Sequence, residues 1–178
     1  MGQFLSDIQD IRKRAREHMS QGAVTAGYKA DRDQVIKVLN EVLATELVCT
    51  LRYRRHYYAA EGFNSESVKQ EFLEHADEEL EHAGMVAERI TQLGGEPDFN
   101  PKTLATRSHA EYVEGSTLRS MVQEDLVAER IAVETYSEIA RWLGTDDPTT
   151  RRVIEEILAK EEEHADDMAT LLGRLPSE

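Results

Sequence analysis

The fold is decided by two related stretches, HADEELEHAGMVAERI at residues 75–90 and EEILAKEEEHADDM at residues 155–168. Both mix charged side chains with small and apolar ones at the three- and four-residue spacing of an α-helix. Each contains one Glu-x-x-His sequence, and the two, which have no counterpart elsewhere in the chain, are Glu79 to His82 and Glu161 to His164. Because residues three apart share a helix face, each glutamate projects beside its histidine.

Two further glutamates turn this pattern into an internal repeat. Glu46 precedes Glu79 by 33 residues, and Glu129 precedes Glu161 by 32. Each half of the chain therefore offers one glutamate on a first helix and a Glu-x-x-His sequence on a second.

Apolar side chains at helical spacing predict an all-α fold with four long helices. The first spans residues 32 to 61. The second follows a cap at Asn64 or Ser65, and the third runs from near Ser116 to Gly144. Asp147 followed by Pro148 predicts the start of the fourth helix, since these are favoured cap and first-turn residues. A shorter amphipathic helix is predicted at residues 4 to 18.

The lengths of the connections predict the topology. Helices one and two, and helices three and four, are joined by a few residues and must form antiparallel hairpins. The link between the hairpins, residues 94 to 115, is long and contains Pro97 and Pro101. One long crossover between two hairpins defines a ferritin-like four-helix bundle. We expect it over residues 32–175, after an N-terminal helix and linker at residues 1–31.

The repeated acids interrupt apolar stripes, which predicts that they are buried. Glu46 lies between Val42 and Cys49, and Glu129 between Leu126 and Val133. A buried carboxylate costs several kcal/mol unless it is paired or binds a metal. With no lysine or arginine on these stripes, a metal cation is the natural partner, and mixed carboxylate and imidazole ligands favour Fe or Mn. A chance arrangement of solvated acids is the alternative.

At these residues the chain resembles the bacterioferritins and Dps-like ferritins. The resemblance covers residues 32 to 172. It rests on the two opening stretches together with NEVLATELVCTLRY at 40–53 and EDLVAERIAVETY at 124–136. It implies a cytoplasmic ferroxidase that oxidises Fe(II) with O2 or H2O2 and stores the ferric product inside a hollow homo-oligomeric shell. Two iron ions per subunit are implied, with Mn or Zn as substitutes.

The resemblance also implies residue roles. It pairs Glu46 and Glu161 with His164, and Glu129 and Glu79 with His82, and it makes Glu79 and Glu161 the bridging carboxylates. Tyr53 falls where bacterioferritins have a tyrosine close to the metals. Tyr53 and Tyr136 each follow a first-helix glutamate by seven residues. Either tyrosine orients a ligand or supplies an electron, or else it is an ordinary core residue.

Three departures from the family pattern matter. Leu80 stands where haem-binding bacterioferritins carry methionine, which argues against haem. The chain ends soon after Leu175, without the fifth helix of 24-subunit ferritins. Together with the N-terminal helix, this favours a twelve-subunit shell. A Dps-like subgroup carries a cysteine pair near the site, whereas this chain has Cys49 alone.

The composition excludes other classes of function. The net charge of −14 argues against broad nucleic-acid binding and suits attraction of cations. No apolar run has the length of a membrane span. A non-storage di-iron or di-manganese oxidase or peroxidase remains an alternative, as does a DNA-protecting shell. The latter rests on a basic cluster near the N-terminus, Arg12, Lys13, Arg14 and Arg16.

Overall fold

The computed structural model describes residues 7–62 and 65–176. Six α-helices occur in this part of the chain: α1 (Ile8–Arg14), α2 (Arg32–Ala59), α3 (Ser65–Gln92), α4 (Leu104–Arg107), α5 (Leu118–Leu143) and α6 (Pro148–Arg174). A 3-10 turn, Met19–Gln21, follows α1. The described residues contain no strand. The predicted all-α, ferritin-like four-helix bundle is confirmed.

The four long helices form two hairpins. α2 packs along α3 and α5 along α6, and the hairpins meet where α3 faces α6 and α2 faces α5. Asp147 caps α6 as predicted, since its side chain accepts a hydrogen bond from the Thr150 backbone N–H and Pro148 begins the helix. Gly144, with φ of 52°, ends α5. These local signals fix where each hairpin turns.

Some helix limits differ from the prediction. The N-terminal helix, predicted at residues 4–18, is described from Ile8 and ends at Arg14, and His18 beyond it adopts a left-handed conformation with φ of 51°. Residues 4–6 and the predicted cap Asn64 lie outside the described residues, and α3 begins at Ser65. The third long helix begins at Leu118, where Thr117 and Ser120 form a capping box.

The crossover between α3 and α5 is anchored by arginines. Arg107 donates to the backbone oxygens of Asn40 and Asp98 at 2.7 and 2.9 Å. Arg52, which is buried on α2, donates to the Glu111 oxygen at 3.0 Å. These bonds hold the crossover, including the short helix α4, against α2.

In the part of the chain that the structure describes, the core contains two large apolar clusters and two small ones. The first large cluster gathers residues such as Leu39, Leu43, Ile90 and Ile154, and the second gathers others such as Tyr53, Phe72, Val122 and Met168. On every long helix the residues of one cluster are separated from those of the other by the predicted glutamates. No described helix is long and apolar enough to cross a bilayer.

Candidate metal centre

A polar layer separates the two large apolar clusters. It contains all six side chains that the repeat singled out, one from each of α2 and α5 and two from each of α3 and α6. They are Glu46, Glu79, His82, Glu129, Glu161 and His164. None is more than 5% exposed. The sequence therefore identified the members of a buried layer from their positions on apolar stripes.

Within this layer, carboxylate and imidazole atoms form two overlapping groups, and in each group the ligand atoms lie within 4.8 Å of one another. The first group is Glu46, Glu79, His82 and Glu161, and the second is Glu79, Glu129, Glu161 and His164. Glu79 and Glu161 belong to both groups. A carboxylate has two oxygens, so a shared glutamate can bridge two metal ions.

The expected pairing of Glu46 with His164 and of Glu129 with His82 is wrong. His82 Nδ1 lies 3.1 Å from Glu46 Oε2, and the group that contains His164 contains Glu129 instead. The physical reason is the hairpin, because α2 and α3 are packed along each other and bring Glu46 opposite His82. α5 and α6 do the same for Glu129 and His164.

Several buried atoms of the layer are left without partners. Among the described residues, four buried side-chain atoms have no hydrogen bond, and all belong to the layer: Glu79 Oε1, Glu129 Oε2, Glu161 Oε1 and His164 Nδ1. Leaving a buried polar atom unpaired costs about 1–3 kcal/mol. These atoms converge on the two groups, so the residues present fit a pair of metal cations.

The orientation of His164 supports the same conclusion. Its Nε2 contacts Glu78 Oε2 at 2.7 Å, and an ionised carboxylate can only accept, so Nε2 carries the proton. Nδ1 then faces Glu79 and Glu161 at 3.6 and 3.7 Å without a hydrogen bond among the described residues. Metal-ligating histidines typically donate their other ring N–H to a carboxylate, which fixes the tautomer in this way.

The pKa values of the layer reflect burial and the mutual repulsion of its carboxylates. Burial, and then the charges of Glu161 and Glu46, raise the pKa of Glu79 well above its ordinary value. Burial and Glu161 do the same to the pKa of Glu129. Burial disfavours the charged form of His82, but its contacts with Glu161 and Glu46 raise its pKa to about 10. Protons therefore compete with metals for this layer.

Two buried tyrosines position ligands. The Tyr53 hydroxyl donates a short hydrogen bond to Glu129, and the Tyr136 hydroxyl donates one to Glu46. Each tyrosine therefore serves the first-helix glutamate of the opposite hairpin, not the one seven residues before it. Burial, and then the carboxylates they contact, raise the pKa of both phenols, so both remain protonated donors.

His75 was missed by the sequence analysis. It is 2% exposed, its ring stacks on that of His164 with centroids 4.0 Å apart, and its Nδ1 lies 3.2 Å from the Tyr53 oxygen. Burial, and then His164, lower the pKa of His75 to about 3, so the ring is neutral. The sequence feature that could have identified His75 is its position two helical turns before His82, on the same face of α3.

A buried ion network beside the layer was also missed. Arg52 Nε donates to Asp125 Oδ1 at 2.8 Å, and His56 Nδ1 contacts Asp125 Oδ2 at 2.7 Å. All three residues are at most 1% exposed. The Arg52 charge is matched by Asp125, so it does not neutralise the glutamates of the layer. Sequence periodicity could not reveal this pair, because Arg52 and Asp125 lie on different hairpins.

A four-helix bundle with a crossover and a buried cluster of glutamates and histidines that suits two metal ions defines the di-metal carboxylate class of helical proteins. A model of the ferritin-like domain matches residues 36–177 of this chain. The chain belongs to the ferritin-like family.

Two relatives are similar to this chain over more than three quarters of its length. A bacterioferritin of Desulfovibrio desulfuricans is 30% identical over 141 residues, 78% of this chain and 75% of the relative. A nutrient stress-induced DNA-binding protein of Synechococcus sp. is 30% identical over 143 residues, 79% of this chain and 81% of the relative.

Solved structures agree. A dodecameric thioferritin, the bacterioferritin-related protein of Bacteroides fragilis, superposes with a TM-score of 0.78 at 33% identity, covering 82% of this chain and 88% of that one. A Desulfovibrio desulfuricans bacterioferritin structure, which has a diiron site, gives a TM-score of 0.71 at 26% identity over 80% of each chain.

Proposed function

We propose that this chain is a ferroxidase that oxidises Fe(II) to Fe(III) with O2 or H2O2 and stores or detoxifies the product. The observation that carries the proposal is the pair of ligand groups that share Glu79 and Glu161. Two adjacent metal sites joined by carboxylates suit a reaction in which two electrons leave together. A single structural metal would need neither the second group nor the shared acids.

In this proposal each metal ion has its own glutamate and histidine, and two glutamates are shared. Glu46 and His82 would hold one ion, Glu129 and His164 the other, and Glu79 and Glu161 would bridge them. When bound, a pair of iron ions supplies the two electrons that the oxidant accepts, and Mn or Zn would occupy the same ligands. The chain itself supplies the geometry and excludes bulk water, because the six side chains are buried.

Tyr53 and Tyr136 are assigned as positioning residues. By donating to Glu129 and Glu46, they hold one carboxylate oxygen of each and leave the other free for a metal. Tyr53 also contacts His75, so it is the tyrosine with a path toward the surface. We place any electron donated by the protein during oxidation on Tyr53.

Metal access is available beside His82. A cleft of about 160 Å³ lies between α3 and α6 and is lined by His82, Met85, Glu78, Glu156 and Lys160, among others. Its acids and the net charge of −14 attract cations. Fe(II) would reach the layer through this cleft without opening the bundle.

We further propose a homo-oligomeric shell, with twelve subunits favoured over twenty-four. The Bacteroides fragilis relative is dodecameric. On this chain, large apolar side chains are about half exposed or more on the long helices, including Leu51, Tyr58, Leu80 and Trp142. Exposed apolar surface of this kind suits contacts between copies of the chain.

The test is size-exclusion chromatography with light scattering on iron-loaded protein, with metal analysis of the same peak. A shell with hundreds of iron atoms supports storage. A few iron atoms per shell would instead support the non-storage oxidase or peroxidase, which uses the same ligands. A double variant, H82A/H164A, is expected to abolish the rise in ferric absorbance when Fe(II) and oxidant are mixed. E88Q, an exposed change on α3 that does not line the cleft beside His82, serves as the control.

A DNA-protecting shell is the second candidate. Arg12, Lys13 and Arg14 of α1 are all exposed, and the Synechococcus relative is named as DNA-binding. A gel-shift assay at low and moderate salt separates the two, since binding through phosphates must weaken steeply as salt rises. If no shift is seen at low salt, the DNA-protecting function is excluded, and ferroxidation with storage is the proposal that remains.

A further inference from the structure

A further cluster of metal-ligating side chains adjoins the six-residue layer through His75, which also groups with Glu129 and His164 of the layer. His75 Nε2 on α3 is 3.6 Å from Glu71 Oε1, one turn earlier on the same helix, and 3.8 Å from Asp167 Oδ2 on α6. The three ligand atoms lie within 4.8 Å of one another. The two carboxylates are partly exposed, with side chains 34% and 44% accessible, so the cluster opens to solvent.

The hydrogen bonds of His75 determine which way its lone pair points. Tyr53 has one hydroxyl proton, which it donates to Glu129, so its oxygen accepts from His75 Nδ1. In a neutral ring the other nitrogen, Nε2, then carries the lone pair. This residue is 2% exposed, yet Nε2 makes no hydrogen bond to any residue within 7–62 and 65–176.

Nε2 therefore directs a lone pair toward two carboxylates, so a cation placed among the three groups would be bound by all of them. Partial burial, and then the charge of Asp167, raise the pKa of Glu71, as expected where negative charge is not compensated. Ligands about 2.1 Å from a transition metal lie roughly 3 to 4 Å apart, and the 3.6 and 3.8 Å separations fall in this range.

We propose that Glu71, His75 and Asp167 form a third, mononuclear site for a divalent transition-metal cation. One imidazole nitrogen and two carboxylate oxygens come from the chain, and water completes the coordination. This donor set suits Fe(II), Zn(II) or Mn(II). The site adjoins the dinuclear layer, because the ring of His75 stacks on that of His164.

The third site is independent of oxidation, so it is tested with Zn(II), which has no redox chemistry. Metal-free protein is dialysed against Zn(II), and bound zinc is counted per chain by elemental analysis. Wild type is expected to hold three ions. The variant E71Q/D167N is expected to hold two, since both changes are isosteric and lie on partly exposed side chains. Its matched control, E88Q/D166N, removes two exposed charges from the same two helices and is expected to hold three.

A second measurement locates the ion. Crystals of the wild-type protein grown with Zn(II) are expected to show an anomalous peak between His75 Nε2 and the two carboxylates, besides two peaks in the layer. The inference is overturned if that peak is absent, or if E71Q/D167N binds as much zinc as its control. Loss of the two layer peaks with retention of the third would instead overturn the proposed dinuclear site and leave this one standing.

Discussion

At the residue scale, this protein is defined by an excess of buried negative charge. Four glutamates lie in one layer with two histidines, and each of the six is nearly inaccessible. Arg52, the buried arginine that follows Glu46 on α2, is already paired with Asp125. Protons compensate the acids when metals are absent, so the layer can hold either protons or the metal cations that we propose for it.

Glu79 gives the sharpest test of this balance. Because burial raises the pKa of Glu79 well above its ordinary value and so favours the protonated form, Glu79→Gln imitates that neutral form. We expect the free energy of unfolding without metal to change by less than about 0.5 kcal/mol. Zinc affinity in the layer should fall on the order of 100-fold, because a bridging ligand is lost.

Chemical unfolding and zinc titration measure the two effects of E79Q. Glu88→Gln, an exposed change on the same helix, is the control and should alter neither quantity. An unchanged zinc affinity in E79Q would remove Glu79 from the ligand set.

The tyrosines give a second prediction. Tyr53→Phe removes the hydrogen bond to Glu129, and Tyr136→Phe removes the one to Glu46. Each variant should still bind two zinc ions in the layer, but about tenfold more weakly, because a ligand carboxylate loses its orienting donor. Iron oxidation should slow further in Y53F than in Y136F if Tyr53 also donates an electron.

Titration calorimetry with Zn(II) and stopped-flow absorbance with Fe(II) separate these two roles. Tyr112→Phe changes a tyrosine that is 42% exposed and provides the matched control. Equal slowing in Y53F and Y136F would limit both tyrosines to positioning.

At the element scale, the start of α6 concentrates stabilising contacts on one side chain. Asp147 accepts from the Thr150 backbone N–H at 2.9 Å, from Arg89 at 3.0 Å and from the Tyr28 hydroxyl at 2.8 Å. It therefore caps α6, ties it to α3 and fastens the linker that precedes α2. Asp147 is 1% exposed, so these bonds are made away from solvent.

Replacing this cap should destabilise the whole bundle. Asp147→Ala is expected to lower the free energy of unfolding by about 3 kcal/mol, since it removes a helix cap and leaves a buried arginine unpaired. Asp147→Asn, which keeps the cap and loses the charge, should cost less. Urea unfolding measures both. Asp146→Ala, one residue earlier and exposed, should stay within about 0.5 kcal/mol of wild type; a similar loss in D146A would contradict this assignment.

At the scale of the whole molecule, metal binding should control stability. The raised pKa values of Glu79 and Glu129 mean that these two carboxyl groups bind protons more tightly in the folded, metal-free protein than in the unfolded chain. Their stabilising contribution is complete below about pH 4.5 and is lost as pH rises through the raised values. His82, with its pKa raised to about 10, adds a contribution of the same sign that fades as pH rises toward that value. Metals require the deprotonated acids, so their effect has the opposite sign.

We therefore expect Zn(II) to raise the melting temperature more at pH 7.5 than at pH 6.0. At a hundredfold excess over Kd the gain is about 2.7 kcal/mol, or roughly 5 to 10 °C for a chain of this size. Differential scanning calorimetry at both pH values measures it. In H82A/H164A the layer should contribute no increment, and any increment that remains should come from the proposed third site. A wild-type increment that is independent of pH would show that protons and metals do not compete for the layer.

Much of the fold and of the site could be predicted because both depend on spacing along helices. Glu-x-x-His places two ligands on one face whatever the helix packs against, and Asp147 with Pro148 starts α6 through local bonds alone. The N-terminal helix was predicted to reach residue 18 but ends at Arg14, and helical periodicity does not encode the left-handed conformation of His18 that follows.

The sequence by itself determined which six side chains lie at the centre, because a glutamate or histidine on an apolar stripe must be buried with the stripe. Only the tertiary structure decided how they are grouped, placing Glu46 with His82 and Glu129 with His164, because that depends on which helices pack side by side. It also decided that Tyr53 serves Glu129 and that His75 directs a lone pair at Asp167. Such contacts join residues far apart in the chain, and no local pattern encodes them.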